Sequence, residues 1–511
     1  MSHPPPLHPN EDLDHENEDE VFLDAGDAAE EISADDDQPM DDLDDDDYGG
    51  EEMAFQNDSS AHFDHHTDSI YSIAQHPIHT FIIITGSGDH TAYIFNSASQ
   101  RPLLPKSYES NPQPRGERES LSIIAKLGGH TDSVNAVAFT EPLGQYVVTA
   151  GLDGRLRAWQ DMTPGKIALS WKFLAEVQEV EEINWVATCP STRSRADEEK
   201  KNLIALGASN GSVWVYRIDE LGETAPISMV SCFFHHKKSC TAGKWTPDGK
   251  LLATVSEDGS FYVYDVFGAA AAAGVASSTG TQVVVGLTAQ DQRFAVEGGL
   301  FSIAIAPTGA FAAVGGAGGH IKVVGLPRLP SSTTKRAASV PTTGGSAGTL
   351  LASLQAQTDS VETLSFSSPP LMLLAAGSVD GSIALFDTAN RFALRRHVRS
   401  AHEDAAVVQV EFVRDETPST QRSVFGTIGG NNRSFLLTSV GMDGVVRRWD
   451  ARGSTLGSLY GLVKEWRGHL GMTENEEGEQ SEGILGFVQG GEGCKRIVTA
   501  GDDGVALVFE E

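Results

Sequence analysis

The sequence predicts an all-β fold: an eight-bladed β-propeller closed by an N-terminal strand and preceded by a disordered acidic tail. Three observations predict it. A unit of short strands recurs with fixed internal spacings, eight copies of it run from residue 58 to the C-terminus, and the last copy lacks a fourth strand of its own. The domain boundaries follow as 1–57 for the tail and 58–511 for the propeller.

The clearest copy of the unit opens on Gly129-His130-Thr131-Asp132-Ser133-Val134. It continues through the apolar runs Ala136 to Phe139 and Tyr146 to Ala150, turns at Asp153-Gly154, and ends in an alternating strand closing on Trp159. Short period-two runs bounded by turn residues read as strands. A turn Asp is followed six residues later by a large aromatic and preceded four residues earlier by Ser or Thr. This holds for Thr85, Asp89 and Phe95; Thr149, Asp153 and Trp159; and Thr254, Asp258 and Tyr264. It holds again for Ser439, Asp443 and Trp449 and for Thr499, Asp503 and Phe509. Each set has an upstream histidine, respectively His66, His130, His236, His402 and His469. With Gly-His near its start and aromatic-Asp near its end, the unit resembles the WD repeat.

Physically, the tight turn between the second and third strands sets the Asp beside the His of the entering loop. The hydroxyl and the aromatic then complete a polar cluster that satisfies groups otherwise costly to bury. On paper the cluster mimics a catalytic triad, but its repetition at blade spacing assigns it to structure. No separate arrangement of nucleophile and base stands out, so no enzyme is expected.

Three further units are degenerate. One has Asn210-Gly211 and Tyr216 after Leu203 to Ala208. A second has Gly318-Gly319 and Val324, without Asp or aromatic. The third keeps Asp359, Asp380, Gly381 and Phe386 but has Gln357 in place of His. These blades are expected to be locally less stable. Successive turn positions lie 48 to 64 residues apart, longer than the roughly 40–45 of a plain WD unit. The excess falls in polar or Gly-, Ser- and Pro-rich segments read as exposed loops: 105–120, 192–201, 269–281, 327–349, 414–433 and 472–482.

The last unit supplies strands near Ile484–Val488, Arg496–Ala500 and Val505–Phe509 before Glu511. Ser60 to Phe63 is the segment expected to supply its fourth strand. Joining the termini within one blade removes open sheet edges.

Charge divides the chain. Residues 1–100 hold 26 Asp and Glu and no Lys or Arg, while the rest carries 45 acidic against 37 basic residues. The tail, with its run 41–47, is too polar to offset chain entropy by burial. Composition leaves open whether it is a solubilising leader or a polyanionic arm for a basic ligand. An anionic surface repels nucleic acid and anionic lipid and attracts basic proteins. Cys189, Cys232, Cys240 and Cys494 show no metal-ligand spacing, so a reduced compartment is expected, with no metal and no cofactor. The start of the chain has no secretory signal and no run suits a membrane span. A soluble, intracellular monomer follows as the expectation. The Gly clusters at 315–319 and 344–345 lack the setting of a phosphate cradle. Lys335-Arg336-Ala337-Ala338-Ser339 is a weak match to a basophilic kinase site.

A propeller gathers its entry loops and second-to-third strand turns on one face. Acids recur there: Asp68, Asp132, Asp359 and Asp404 two residues after the His position, Glu257 and Asp502 just before the turn position, and Glu179, Glu181 and Glu182 entering the third blade. For any one of them, shaping its own turn is an equally good reading; together they are read as a ring that steers a basic peptide.

The chain resembles the WD family of the angio-associated migratory cell protein and its fungal ribosome-assembly members. The likeness lies in the acid tail plus eight units and in His66-Thr67-Asp68-Ser69-Ile70-Tyr71-Ser72-Ile73-Ala74-Gln75-His76-Pro77 followed by Gly86-Ser87-Gly88-Asp89. It lies also in Cys240-Thr241-Ala242-Gly243-Lys244-Trp245-Thr246-Pro247-Asp248-Gly249-Lys250 with Glu257-Asp258-Gly259. In the fungal branch the resemblance implies a chaperone of a basic large-subunit ribosomal protein (L-ten, universal L-sixteen). It would capture that protein's N-terminal segment on the acidic face and deliver it to the pre-60S particle, in the cytoplasm and also the nucleus. The rivals are a scaffold or signalling adaptor, as in the animal branch, and an acidic histone-type chaperone.

Overall fold

The computed structural model describes residues 56–98, 120–163, 170–222, 225–275, 282–329, 347–414, 433–452, 461–469, 471–474, 480–491 and 494–511. The acidic tail expected over 1–57 falls outside these residues up to 55, as does the loop carrying Ser339.

Eight antiparallel four-stranded sheets make up the fold. Their inner strands are Ile70–Gln75, Val134–Phe139, Ile183–Thr188, Cys240–Trp245, Leu300–Ile305, Val361–Phe366, Val407–Phe412 and Ile484–Gly490. Each meets its neighbours in chain order, and the first meets the last, which closes the ring. Apolar burial lies largely between blades. Val148 and Leu156 of the second blade, for example, share one cluster with Ile204, Leu206 and Tyr216 of the third. Each blade thus covers an apolar face of the next, so no sheet has to fold alone.

Closure runs through the N-terminus. Ala61–Phe63 pairs with Ala506–Val508 as the fourth strand of the last blade. Ser60 N–H donates to the Val508 carbonyl at 2.7 Å, and Asp58 N–H to the Arg467 carbonyl at 2.7 Å. Phe63 is fully buried and stacks on Phe95 of the first blade, with ring centroids 4.2 Å apart. One short strand therefore ties the last blade to the first.

All eight inner strands carry a register shift just after their first residue. Such a bulge re-aims a side chain and sharpens the local twist. In blades two to four the shifted residue stitches neighbours together. Asn135 donates to the Ile183 carbonyl at 2.6 Å, Asn184 to that of Cys240 at 3.0 Å, and Thr241 to that of Leu300 at 2.6 Å.

Three segments read as loops contain regular structure: a 3-10 helix at Arg195–Lys200, a short helix at Ala269–Ala272, and a hairpin pairing Met472–Glu474 with Gln480–Glu482. Their polar or Ala- and Gly-rich composition hid them, since none carries an apolar period long enough to register.

Candidate partner-binding face

Within a blade the chain alternates direction, so every entry loop and every turn between the second and third strands emerges on the same side of the ring. The five histidine clusters hold these loops to these turns. His66 Nδ1–H donates to Asp89 at 2.9 Å while Nε2 accepts from the Thr85 hydroxyl at 2.9 Å. The same pair of bonds joins His130 to Asp153 and Thr149, His402 to Asp443 and Ser439, and His469 to Asp503 and Thr499. Burial pushes the pKa of His66, His130 and His402 below the usual histidine range, even with a carboxylate beside each ring. Neutral imidazoles suit the bonding, with one nitrogen donating and the other accepting.

Two expectations about the clusters need correction. In the fourth blade His236 does not bond Asp258 directly. Its Nδ1–H donates to the Ser260 hydroxyl at 2.6 Å, and that hydroxyl donates in turn to Asp258. The aromatic, moreover, does not complete a polar tetrad in every cluster: Trp449 Nε1–H donates to Ser439 at 2.8 Å in the seventh blade and Tyr264 meets Thr254 in the fourth. Phe95 and Phe509 have no donor and contribute apolar packing alone.

The degenerate blades were expected to be weak because their clusters are broken. The geometry removes that reason in two of them. In the third blade buried Val180 occupies the histidine's place, with Leu206 at the hydroxyl position; in the fifth, Val296 and Val314 do the same. The imidazole and the buried hydroxyl are replaced together, so neither is left buried without its partner. In the sixth blade Gln357 substitutes for the imidazole, its Nε2 donating to the Ser382 carbonyl at 2.9 Å and the Ala376 carbonyl at 3.3 Å.

The hydroxyl standing where a nucleophile would stand is fully buried in all five clusters: Thr85, Thr149, Thr254, Ser439 and Thr499 are 0% exposed. No substrate reaches them, and the His–Asp pairs act as buried struts. Among the described residues no group of three His, Cys, Asp or Glu converges as metal ligands would.

The candidate acids lie on the loops and turns so fixed. Asp68, Asp132, Glu179, Glu181, Glu182, Glu257, Asp359 and Asp404 are exposed, and Asp502 is half-buried. Three of them also shape their loops, since Asp68, Asp132 and Asp359 each accept the following Ser N–H at 2.7 Å. That bond occupies one oxygen and leaves the charge facing solvent. The loops lie at blade seams, where the turn of one blade backs onto the entry loop of the next. A Cβ on Gly504 would sit 3.2 Å from the Asp68 carbonyl, and one on Gly381 2.4 Å from that of Glu403.

Residues not singled out from the sequence extend this face. Exposed Glu403 neighbours Asp404, and exposed Glu362 and Tyr71 occupy the shifted positions of their inner strands. The signal was available in principle, as both directly follow the first inner-strand residue, but the bulge that turns them outward is invisible to a period-two reading. The face is not purely acidic. Lys237 and Lys238 are exposed on the fourth entry loop, whereas Arg157 and Arg447 are paired with Glu176 and Glu465. On the opposite side, a cavity of about 320 Å³ at the channel mouth is lined by Gln75, His76, Glu141, Thr188 and Arg414, a mixed-charge set.

Comparison with known proteins agrees with this architecture. The repeat family described as WD domain, G-beta repeat matches residues 57–96, 121–160 and 348–387, and the anaphase-promoting complex subunit 4 WD40 domain matches residues 198–290. The chain is 26% identical over 500 residues to the ribosome assembly protein SQT1 of Saccharomyces cerevisiae, covering 93% of this chain and 91% of that protein. It is 23% identical to the human angio-associated migratory cell protein, covering 88% and 80%. The crystal structure of Chaetomium thermophilum Sqt1 superposes with a TM-score of 0.72 at 49% identity, covering 89% of this chain and 98% of that one. The structure of the same protein bound to the N-terminus of the ribosomal protein L10 superposes equally well, at 48% identity.

Proposed function

The chain belongs to the Sqt1 family of ribosome-assembly proteins, and from that premise we propose that it is a non-catalytic chaperone for the basic N-terminal segment of a large-subunit ribosomal protein of the L10 kind. The segment docks on the acidic face built by the entry loops, where carboxylates at successive seams attract it from a distance and hold it in place. Docking shields it from stray RNA and from aggregation until the ribosomal protein joins the pre-60S particle. The propeller itself makes no direct contact with nucleic acid or membrane, acts as a monomer, and works in the cytoplasm and also in the nucleus.

The observation that carries this reading is the close relative crystallised with the L10 N-terminus, a chain 48% identical that this sequence spans completely. The exposed acids supply the physical reason. Affinity purification of the full chain tests it, with washes at low and then high salt. A large-subunit ribosomal protein is expected as the dominant companion at low ionic strength, and it should be released as salt screens the exposed charges. A histone, or a signalling protein insensitive to salt, in its place would overturn the reading.

A further inference from the structure

Aromatic rings on the outer strands and loops of this propeller repeatedly carry a cation supplied by the chain itself. Lys126 Nζ lies 5.1 Å from the centre of Tyr93, the Arg157 guanidinium 4.6 Å from that of Phe173, Lys464 Nζ 4.6 Å from that of Trp466, and the Arg452 guanidinium 3.3 Å from that of Phe435. The second blade shows the full arrangement: Arg157 lies on an aromatic ring while its guanidinium pairs with the carboxylate of Glu176.

The third blade departs from this pattern. Trp214 stands four residues after the turn position, as Tyr93 and Arg157 do in their blades, and it is half-buried. Phe234, just past the fourth strand, is 65% exposed. The two rings meet edge to face with centroids 5.6 Å apart. Among the described residues neither ring carries a cation of this chain. A carboxylate is nevertheless close by, because Glu179 and Trp214 both border a narrow crevice at the seam of the second and third blades, with room for about one water molecule. Glu181 and Glu182 follow on the same entry loop, exposed, while Lys237 and Lys238 lie three and four residues past Phe234, on the loop that backs onto the third blade's turn. Nor does the loop require a ring. The positions matching Phe234 in other blades hold Asp64, Gly128, Gln178, Gln355, Ser400 and Arg467, and in the fifth blade Phe294, which is buried in the core rather than exposed. An exposed phenylalanine there has no packing reason.

We infer that the surface over this crevice is a docking site for an arginine side chain of a protein partner, with the guanidinium laid against the Trp214–Phe234 ring pair and paired with Glu179. Arginine fits better than lysine. Its planar, weakly hydrated head stacks on an aromatic face and presents a fork of donors to a carboxylate, whereas an ammonium is a compact and strongly hydrated charge. The inference rests on the reading of a basic partner segment and deepens it. The entry loops attract net charge and do not distinguish one basic residue from another, whereas an aromatic site set off from the channel fixes which residue of the segment lies on the third blade.

Titration calorimetry on the full chain tests this, using octa-arginine, octa-lysine and a synthetic L10 N-terminal peptide as probes. The wild type should bind octa-arginine roughly threefold to fivefold more tightly than octa-lysine, as expected for one cation–π contact. Phe234→Ala should remove that preference and leave the melting temperature unchanged, and Glu179→Gln should reduce it. Equal binding of the two homopolymers by the wild type, or a preference that survives Phe234→Ala, would overturn the site. An arginine preference erased by Phe234→Ala supports the site even if the L10 peptide does not bind, in which case only the assignment of the partner falls. L10 binding without any arginine preference leaves the partner and removes the site.

Discussion

The five blades with a histidine cluster and the two that lost it solve one problem in opposite ways. In blades one, two, four, seven and eight a loop is held to a turn by hydrogen bonds among buried polar groups. In blades three and five the same space is filled by Val180 with Leu206 and by Val296 with Val314, all buried. A buried hydrogen bond adds only about 1 kcal/mol net, while a buried polar group left without its partner costs about 1–3 kcal/mol. The stable states are therefore all-polar or all-apolar, and mixtures are penalised. Loss of the sequence signature is replacement, not decay.

The largest effect should come from a change that neither kind of blade can absorb. Deleting residues 58–64 removes the strand that pairs with Ala506–Val508 and should prevent cooperative unfolding at the wild-type temperature. Deleting 1–50 should shift the melting temperature by less than about 1 °C. Calorimetry of the two truncations separates them, and equal effects would contradict closure through the N-terminal strand.

A half-broken cluster comes next. His402→Leu takes one 2.8 Å bond each from Ser439 and Asp443, which keep Trp449 and Arg447 as remaining partners, and should cost about 2 kcal/mol by denaturant unfolding. In the third blade Val180→His alone should cost about 2 kcal/mol, because it buries an imidazole with no partner. Adding Leu206→Thr and Asn210→Asp should recover most of that loss. The turn is already suited to the change: Asn210 Oδ1 accepts the Ser212 N–H at 2.9 Å, as Asp153 Oδ1 accepts that of Arg155 at 3.0 Å. A triple variant no more stable than the single one would refute the account of the two blade types.

These contrasts show what the sequence made legible. Spacing reported Asp, hydroxyl and histidine, and with them five blades, because fixed hydrogen-bond geometry demands fixed separations. The apolar blades follow no such rule, so Val180 and Val296 were invisible as counterparts of the histidines. The Ser260 relay was hidden for a related reason: Asp258 keeps its place in the spacing although another hydroxyl reaches the ring. For the binding face, loop position could be read directly. Exposure of Glu362 and Tyr71 depends on a bulge, and the pairing of Trp214 with Phe234 joins residues twenty apart through a strand register that composition does not reveal.

Acid should separate the two kinds of blade more gently. Burial lowers the pKa of His236 to about 4, and its ring is held by Ser260 and Thr254. Because the folded value lies below the unfolded one, the unfolded chain takes up the proton first. The stability contributed is complete above about pH 6.5 and is lost as pH falls toward 4, a change of about 3 kcal/mol for this group. Thermal melts at pH 7, 6 and 5 should show a falling melting temperature, and His236→Asn should give a shallower slope. An unchanged slope would mean that His236 is not the neutral strut described.

The acids of this face should matter least to stability and most to binding. Glu257 and Asp502 lie just before the turn position in the fourth and eighth blades. The most direct measurement is the affinity of the Glu257→Lys/Asp502→Lys double variant for the L10 N-terminal peptide, read beside its melting curve at two salt concentrations. Binding should be lost while the melting temperature stays within about 1 °C of wild type, and wild-type binding should weaken steeply as salt rises. Undiminished, salt-independent binding by the double variant would contradict an acidic face as the partner's site.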